Sequence, residues 1–498
     1  MRPFPRIRSR TRTSAACADP NTVRCASPRR SAKWPPIRVS ISWPPFRRRH
    51  RVTRTSPPDA EKASRAADTV GLYANGGFWG LVGTQFLGAF NDNLFKQILL
   101  LLFVEIPRLG DLQWLATLTF SVPFIVFSGY AGYLSDRYSK RRVIVLSKVA
   151  EIAIMAAGGL LFAVLAAWTM NAVLVGLLCF VLFSMGAQSA FFGPGKYGIL
   201  PELLPEEQLP QANGFILMMT FVAIILGSAC AGGMLDWFGD RLWTTGLACV
   251  GIAIAGTWTS AQVRPVPAAS PSLAFDWSTV AIPHDVRSCL RRDLPLLTAL
   301  IVSSVFWMAA AVVQMAVNTF GRLQLEVSDS RTSLMVASIS FGIAVGSVLG
   351  AGLSRGRFNT RVLKAGVWGM FISLALLSVP AANEHRHLLG YAGSVVVLIL
   401  LGVFTGMFAV PLQVFMQARP PEALKGRMIA TQNLLNWIGI TGSSLYYFAG
   451  SKTISALGWP PSANFAFTAL LILGIGLLYH PRPSTHEPAI GSAVEGAS

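Results

Sequence analysis

From about Phe78 to residue 480, long apolar runs alternate with short polar turns. About 20 residues suffice to cross a bilayer as a helix. The pattern predicts twelve such helices, over 78–104, 113–134, 143–167, 171–194, 213–235, 243–261, 296–320, 332–354, 362–381, 388–416, 428–450 and 462–480. The longest internal hydrophilic gap, 262–295, holds Pro265, Pro267, Pro271 and Pro283 and predicts a cytoplasmic linker between a six-helix half over 76–261 and a second over 296–480. The expected fold class is an all-α polytopic membrane protein, with twelve transmembrane helices in two six-helix pseudo-symmetric halves.

The halves echo each other. Phe192-Gly193-Pro194 and Pro205-Glu206 recur as Ala409-Val410-Pro411 and Pro421-Glu422, at offsets of 217 and 216 residues. Asn213 and Asn433 open the fifth and eleventh helices, and Arg355-Gly356-Arg357-Phe358-Asn359-Thr360-Arg361 reads as a degraded copy of Asp136-Arg137-Tyr138-Ser139-Lys140-Arg141-Arg142. Parallel repeats of this kind suit a rocking transporter with its site where the halves meet. The third helix carries Lys148 and Glu151, expected as a self-neutralised pair, and Gly342, Gly346 and Gly350 form a smooth stripe expected to pack against a neighbour.

Charge refines the picture. The chain has 498 residues, of which 52% are hydrophobic and 13% charged, and a net charge of +19. Residues 1–66 hold 17 Lys and Arg against Asp19, Asp59 and Glu61, so +14 of that total sits in the tail. The basic balance therefore does not point to nucleic acid. Residues 1–70 have no apolar run and are expected to be a disordered or mis-started tail; Arg- and Ser-rich composition is also that of an organelle transit peptide. Residues 481–498 are expected to be a disordered tail. With the N-terminus inside, the inner loops carry 16 Lys and Arg and the outer loops 6, which predicts both termini in the cytoplasm. The six cysteines show no metal-ligand spacing, so neither disulfide nor metal is expected. There is no Gly-x-x-x-x-Gly-Lys-[Ser/Thr] run for ATP and no His-x-x-x-x-Asp acyltransferase pair. Neither a catalytic residue nor a cofactor is expected.

The first apolar run is interrupted by Asn91-Asp92-Asn93 and Lys96. A charge at this depth costs at least about 2.5–3.5 kcal/mol. Asp92 and Lys96 are four apart, share a helical face and are expected to neutralise each other. They read as a polar site facing a cavity between helices, or alternatively as a packing pair. In the second half Gln314 and Asn318 lie one turn apart and are candidate cavity residues, as are Gln413, Gln417, Gln432, Asn433 and Asn436.

Gly132-Tyr133-Leu134-Ser135-Asp136-Arg137-Tyr138-Ser139-Lys140-Arg141-Arg142 resembles the loop 2–3 signature of the major facilitator superfamily, with Ser139 where the family has a second glycine. The resemblance implies that Gly132, Asp136, Arg137 and Arg141 form a conformational switch that latches the two halves in the outward-open state. Gly132 is expected to allow a close helix approach, and Asp136 to accept from a helix N-terminus and an arginine. Thr84-Gln85-Phe86, Asn91-Asp92-Asn93, the run Phe192 to Leu203 and Ala212-Asn213-Gly214 with Gly227, Gly232 and Gly233 resemble the bacterial lysophospholipid transporter branch, close to the transporter domain fused to a 2-acylglycerophosphoethanolamine acyltransferase. That resemblance implies a monomeric flippase of the bacterial inner membrane. It would move lysophospholipids to the cytoplasmic leaflet by alternating access, for re-acylation by a separate acyltransferase. Membrane lipids are its surroundings. Asp92, Asn91, Asn93, Lys96, Lys196, Gln314 and Asn318 are then the substrate-binding candidates, with Asp92 toward an ammonium and Lys196 toward a phosphate. The alternatives are a proton-coupled exporter of small amphiphiles, and a transport-inactive membrane anchor for an acyltransferase.

Overall fold

The structure, a computed structural model, describes residues 72, 75–274, 282–354, 358–381, 387–421 and 424–480, except the side chains of Glu206, Pro210 and Asp240. The tails, Arg355, Arg357, Arg386 and Glu422 lie outside the described residues.

Twelve long helices run through the described part. They are α1 Gly76–Leu102, α2 Gln113–Arg137, α3 Lys140–Ala167, α4 Ala172–Gly198, α5 Leu209–Phe238, α6 Leu242–Ala261, α7 Leu294–Thr319, α8 Asp329–Ser354, α9 Thr360–Ser378, α10 Gly390–Ala418, α11 Lys425–Leu457 and α12 Ala463–Leu478. Nine of these are long and apolar enough to cross a membrane. The others are α1, diluted by its polar cluster, α11, rich in polar residues, and α12, with 16 residues. The chain is a multi-pass membrane protein.

Local chemistry sets several helix starts. Asn75 Oδ1 accepts from the Phe78 amide at the head of α1, and Asn171, Asp293 and Asn359 cap α4, α7 and α9 in the same way. Pro194 was expected to end α4. The helix instead runs through Pro194 to Gly198, with Ile144 and Lys140 lying against Gly195 and Gly198. The expected loop 262–295 contains a short helix, His284–Arg292, which buries Val286 and Leu290.

The helices pair in the same way in both halves. In the first half α1 packs on α5 and α6, α2 on α4, and α3 on α4 and α6. In the second, α7 packs on α11 and α12, α8 on α10, and α9 on α10 and α12. The contacts between halves repeat the symmetry, α2 with α11 and α5 with α8. One apolar core, around Phe95, Phe162, Leu178 and Met185, lies in the first half, and another, around Phe306, Leu374, Phe408 and Phe465, in the second. Large apolar side chains such as Leu146, Phe180, Val348 and Leu470 stand on the outside, as a lipid-facing surface requires. The expected glycine stripe on α8 meets the α10 backbone: a Cβ on Gly342 or Gly346 would strike the carbonyls of Ile399 or Val403.

Chain direction defines two ends. The linker end carries the 262–293 segment, the start of α1 and the end of α12; the hairpin end carries the α1–α2, α3–α4, α5–α6, α7–α8, α9–α10 and α11–α12 turns.

Candidate functional site

α1 meets helices of both halves, so its polar residues diverge. Asn91 is fully buried and donates to Glu151 Oε1 (2.9 Å) on α3 and to the Cys249 carbonyl (3.2 Å) on α6. Asp92 Oδ2 accepts from Ser189 Oγ on α4 at 2.6 Å. Gly227 of α5 lies against the α1 backbone at Phe90 and Leu94. Gln97 donates to Asn318 on α7 at 2.8 Å. The partly accessible residues of α1 around this level are Phe86, Leu87, Ala89, Phe90, Asp92, Asn93 and Lys96. At 100° per residue all of these but Leu87 occupy one contiguous face. With α3, α5 and α6 behind, that face is turned toward α2, α4 and α7, where the halves meet.

Asp92 and Lys96 make no direct ion-pair contact, though their charges attract each other along the helix. Asp92 is engaged by Ser189, and the Lys96 ammonium lies over the Phe120 ring on α2, 5.5 Å from its centroid. Each side chain makes its direct contact on a different neighbouring helix. Asp92 Oδ1 is buried without a hydrogen-bond partner. Asn93 turns back to the Ala89 carbonyl.

Lys148 and Glu151 do pair, at 2.6 Å and with both side chains 2% exposed. Glu151 also accepts from Asn91 and, at 3.4 Å, from Gln188, whose Oε1 lies 3.1 Å from the Ser189 hydroxyl. A continuous polar chain thus runs from Lys148 to Asp92. Gly88 makes room for it, since a Cβ there would strike Lys148 Nζ. Lys196 lies seven residues beyond Ser189, about 10 Å nearer the linker end. Its ammonium stacks on Tyr197 at 4.6 Å and feels the charges of Lys148 and Asp92. Asp92, Lys96, Lys148, Glu151 and Lys196 together carry one surplus positive charge.

Gln314 and Asn318 do not line an open space here. Asn318 is fully buried, and Gln314 donates to Gln97 at 3.2 Å. Both belong to a bonded seam that closes the hairpin end. Asn318 donates to Gln113 Oε1 (3.0 Å) and Gln113 donates to Thr319 (2.9 Å). Thr319 lies 2.6 Å from the Tyr447 hydroxyl, which donates to Asp111 Oδ2 at 2.7 Å. Burial pushes the Asp111 carboxyl above the usual carboxylate range, against the pull of its bonds from Tyr447, Gln113 and Thr319. On the other flank, Asp236 at the end of α5 accepts from the Asp329 and Ser330 amides that start α8. Arg322 pairs with Asp329 at 3.1 Å and donates to the Leu101 carbonyl of α1. Among the described residues, every hydrogen bond between the halves falls between the hairpin end and the Ser121–Thr441 pair. Phe124 and Trp437 stack at 3.6 Å just beyond it.

The linker end is parted. A Cβ on Gly132, Gly214, Gly352 or Gly426, near the linker ends of α2, α5, α8 and α11, would meet nothing within 4 Å. The close approach expected at Gly132 is therefore absent in this conformation. Asp136 is exposed, and its carboxylate accepts from neither a helix N-terminus nor an arginine among the described residues; only its carbonyl is used, by Ser270. Arg137 donates to Tyr133 and to the Leu273 carbonyl, and Arg141 to the Ala261 carbonyl. These contacts tie the α2–α3 turn to the end of α6 and to the linker, and not to α11.

Gln432 donates to Gln413, and Ser303 to Asn436, within the second half. Gln417 and Asn433 are exposed. Two cavities, of about 870 Å³ beside the α3–α4 hairpin and about 580 Å³ beside Ser354 and Asn359, include neither Asp92 nor Lys96. No group of three or more metal-ligating side chains occurs among the described residues. The sequence reading missed Ser189, Gln188, Asp111, Gln113, Tyr447 and Asp236. Each is an ordinary polar residue on its own, and only its partner on a distant helix gives it meaning.

Two symmetric six-helix halves, bonded at one end and parted at the other, define a transporter fold. The model of the Major Facilitator Superfamily matches residues 81–444, and the chain belongs to that superfamily. Within it, the chain is similar to the Lysophospholipid transporter LplT of Klebsiella pneumoniae (strain 342), 29% identical over 418 residues, which cover 82% of this chain and 96% of that relative. The Lysophospholipid transporter LplT of Serratia proteamaculans (strain 568) is 28% identical over 71% of this chain and 83% of its own length. Among solved structures, a D-xylose-proton symporter aligns with a TM-score of 0.65 at 14% identity, over 82% of this chain and 98% of its own. A POT family transporter in complex with a thioalcohol-conjugated peptide aligns with a TM-score of 0.61 at 13% identity, over 80% and 94%. Those two likenesses are of fold alone.

Proposed function

We propose that this chain transports lysophospholipids across the bacterial inner membrane to the cytoplasmic leaflet by alternating access. The relatives named as lysophospholipid transporters support the substrate class, since the match runs along 96% of the first one's length. The observation that carries the site is the partly accessible charged face of α1, held between α2, α4 and α7 with its far end closed by the Gln97–Asn318 bond. In this reading the linker end is cytoplasmic, in line with the surplus of Lys and Arg there, and the conformation is inward-facing.

A zwitterionic headgroup would place its ammonium at the Asp92 carboxylate, whose Oδ1 lacks a hydrogen-bond partner, and its phosphate toward Lys196 and Lys96. Asn93 lies on the same face. Asn91 supports from behind through Glu151, and Gln314 and Asn318 close the far end. The single acyl chain stays against apolar helix faces. The protein acts as a monomer without a cofactor, and re-acylation falls to a separate acyltransferase. A proton-coupled mode has one observation in its favour, the same unpartnered Asp92 oxygen.

Uptake of labelled lysophosphatidylethanolamine by spheroplasts tests the reading. Wild type takes up the lipid with or without an uncoupler, and Asp92→Asn loses uptake by about tenfold or more, the scale of one charge-assisted bond. No uptake by wild type overturns the lipid reading. Uptake that collapses with the uncoupler favours proton coupling.

A further inference from the structure

The switch motif on α2 has a second copy on α5. Gly132 and Asp136 stand four residues apart near the linker end of α2; Gly232 and Asp236 stand four apart near the hairpin end of α5, each displaced by 100 residues. Helices α2 and α5 run in opposite directions through the membrane and each packs on the other half, α2 on α11 and α5 on α8. Inverted three-helix repeats nested within a six-helix half relate such helices. The two Gly-x-x-x-Asp copies therefore sit at opposite ends of the molecule, facing two equivalent partner helices.

Only one copy is engaged. Gly232 touches the α8 backbone so closely that a Cβ there would strike the Asp329 carbonyl, whereas Gly132 has nothing within 4 Å. Asp236 accepts from the Ser330 amide at 2.8 Å and the Asp329 amide at 3.2 Å, while the Asp136 carboxylate stands exposed. The first amides of a helix have no partner within it and carry the positive end of its dipole, so a carboxylate from outside satisfies both needs. Asp329 places a second negative charge beside Asp236, and Arg322 offsets it at 3.1 Å. α8 is thus held to the first half by a carboxylate that belongs to that half.

We infer that Gly232 and Asp236 form a hairpin-end latch, the inverted counterpart of Gly132 and Asp136, and that the two are engaged in turn. Closing the hairpin end seats Asp236 on the start of α8. Opening it breaks those two bonds and exposes the amides of Asp329 and Ser330 to water. Closing the linker end would seat Asp136 on the start of α11 in the same manner. The inference rests on the alternating-access reading but not on which substrate is carried.

Distances between spin labels at Thr169 and Leu388, in the α3–α4 and α9–α10 hairpins, report the hairpin end in a cysteine-free full chain in lipid nanodiscs. Asp236→Ala is expected to raise the ratio of long to short distances by about tenfold, the scale of a charge-assisted hydrogen bond. Gly232→Ala should act in the same direction by steric exclusion, and Asp136→Ala in the opposite one. Asp236→Asn, which keeps one acceptor, gives an intermediate shift and covers the case in which the alanine variant does not fold. An unchanged distance distribution in folded Asp236→Asn and Gly232→Ala overturns the latch. Failed lipid uptake with shifted distances would instead strike the substrate reading and leave the latch standing.

Discussion

Ser189 on α4 donates its hydroxyl hydrogen to Asp92 Oδ2 on α1 at 2.6 Å and leaves Oδ1 without a hydrogen-bond partner. The bond crosses between two helices of the same half, so a rigid rocking of one half against the other would not by itself break it.

Ser189→Ala should therefore weaken substrate binding more than turnover. The half-saturating lysolipid concentration is expected to rise by about five- to tenfold, the worth of one hydrogen bond to a charged group, with the maximal rate little changed. Concentration-dependent uptake in spheroplasts separates the two. An unchanged half-saturation would remove Ser189 from the site.

Glu151 is the hub of the buried polar chain and the partner of Lys148, with both side chains 2% exposed. Removing one member of a buried ion pair strands the other, at about 3–5 kcal/mol. Glu151→Gln should lower the thermal midpoint of the detergent-solubilised protein markedly. The double change Glu151→Gln with Lys148→Met should recover most of the loss, since the stranded charge is gone. A double variant no more stable than Glu151→Gln would show that the pair contributes by something other than charge balance.

The hairpin seam should respond to pH through Asp111. Burial raises the pKa of its carboxyl in the closed seam, and opening the seam to water would return it to the ordinary range. The closed form then binds the proton more tightly than the open one. Closure is fully favoured below the ordinary carboxylate value and is lost progressively as pH rises through the raised value. The Thr169–Leu388 distance distribution should shift toward open as pH rises across that window. Asp111→Asn, which cannot ionise, should flatten the response; a response that persists in this variant assigns it to another group.

Much of the architecture was legible because a bilayer is an uncompromising solvent. Long apolar runs had to be helices, and the proline-rich gap near 262–295 had to part them. The glycine stripe at Gly342, Gly346 and Gly350 was equally readable, since it follows from spacing along one chain segment. The pairings were not. Asp92 and Lys96 satisfy the four-residue rule, yet each makes its direct contact across a helix interface, with Ser189 and with the Phe120 ring. Gln314 and Asn318 read as cavity residues but serve the seam, because amides bond whichever surface is brought to them. Gly132 and Asp136 were expected as a made contact. Their partner is withdrawn in this conformation, and a sequence carries no record of which state a structure will show.

The backbone contact between α8 and α10 bears on how any such motion spreads. Where two helices touch through glycines, with no side chains between them to deform, they translate as one plank. A displacement that begins at Asp329, at the head of α8, would be handed directly to α10 at Ile399 and Val403. Pro411, inside α10, interrupts the helix beyond that contact and so marks where the paired helices can bend.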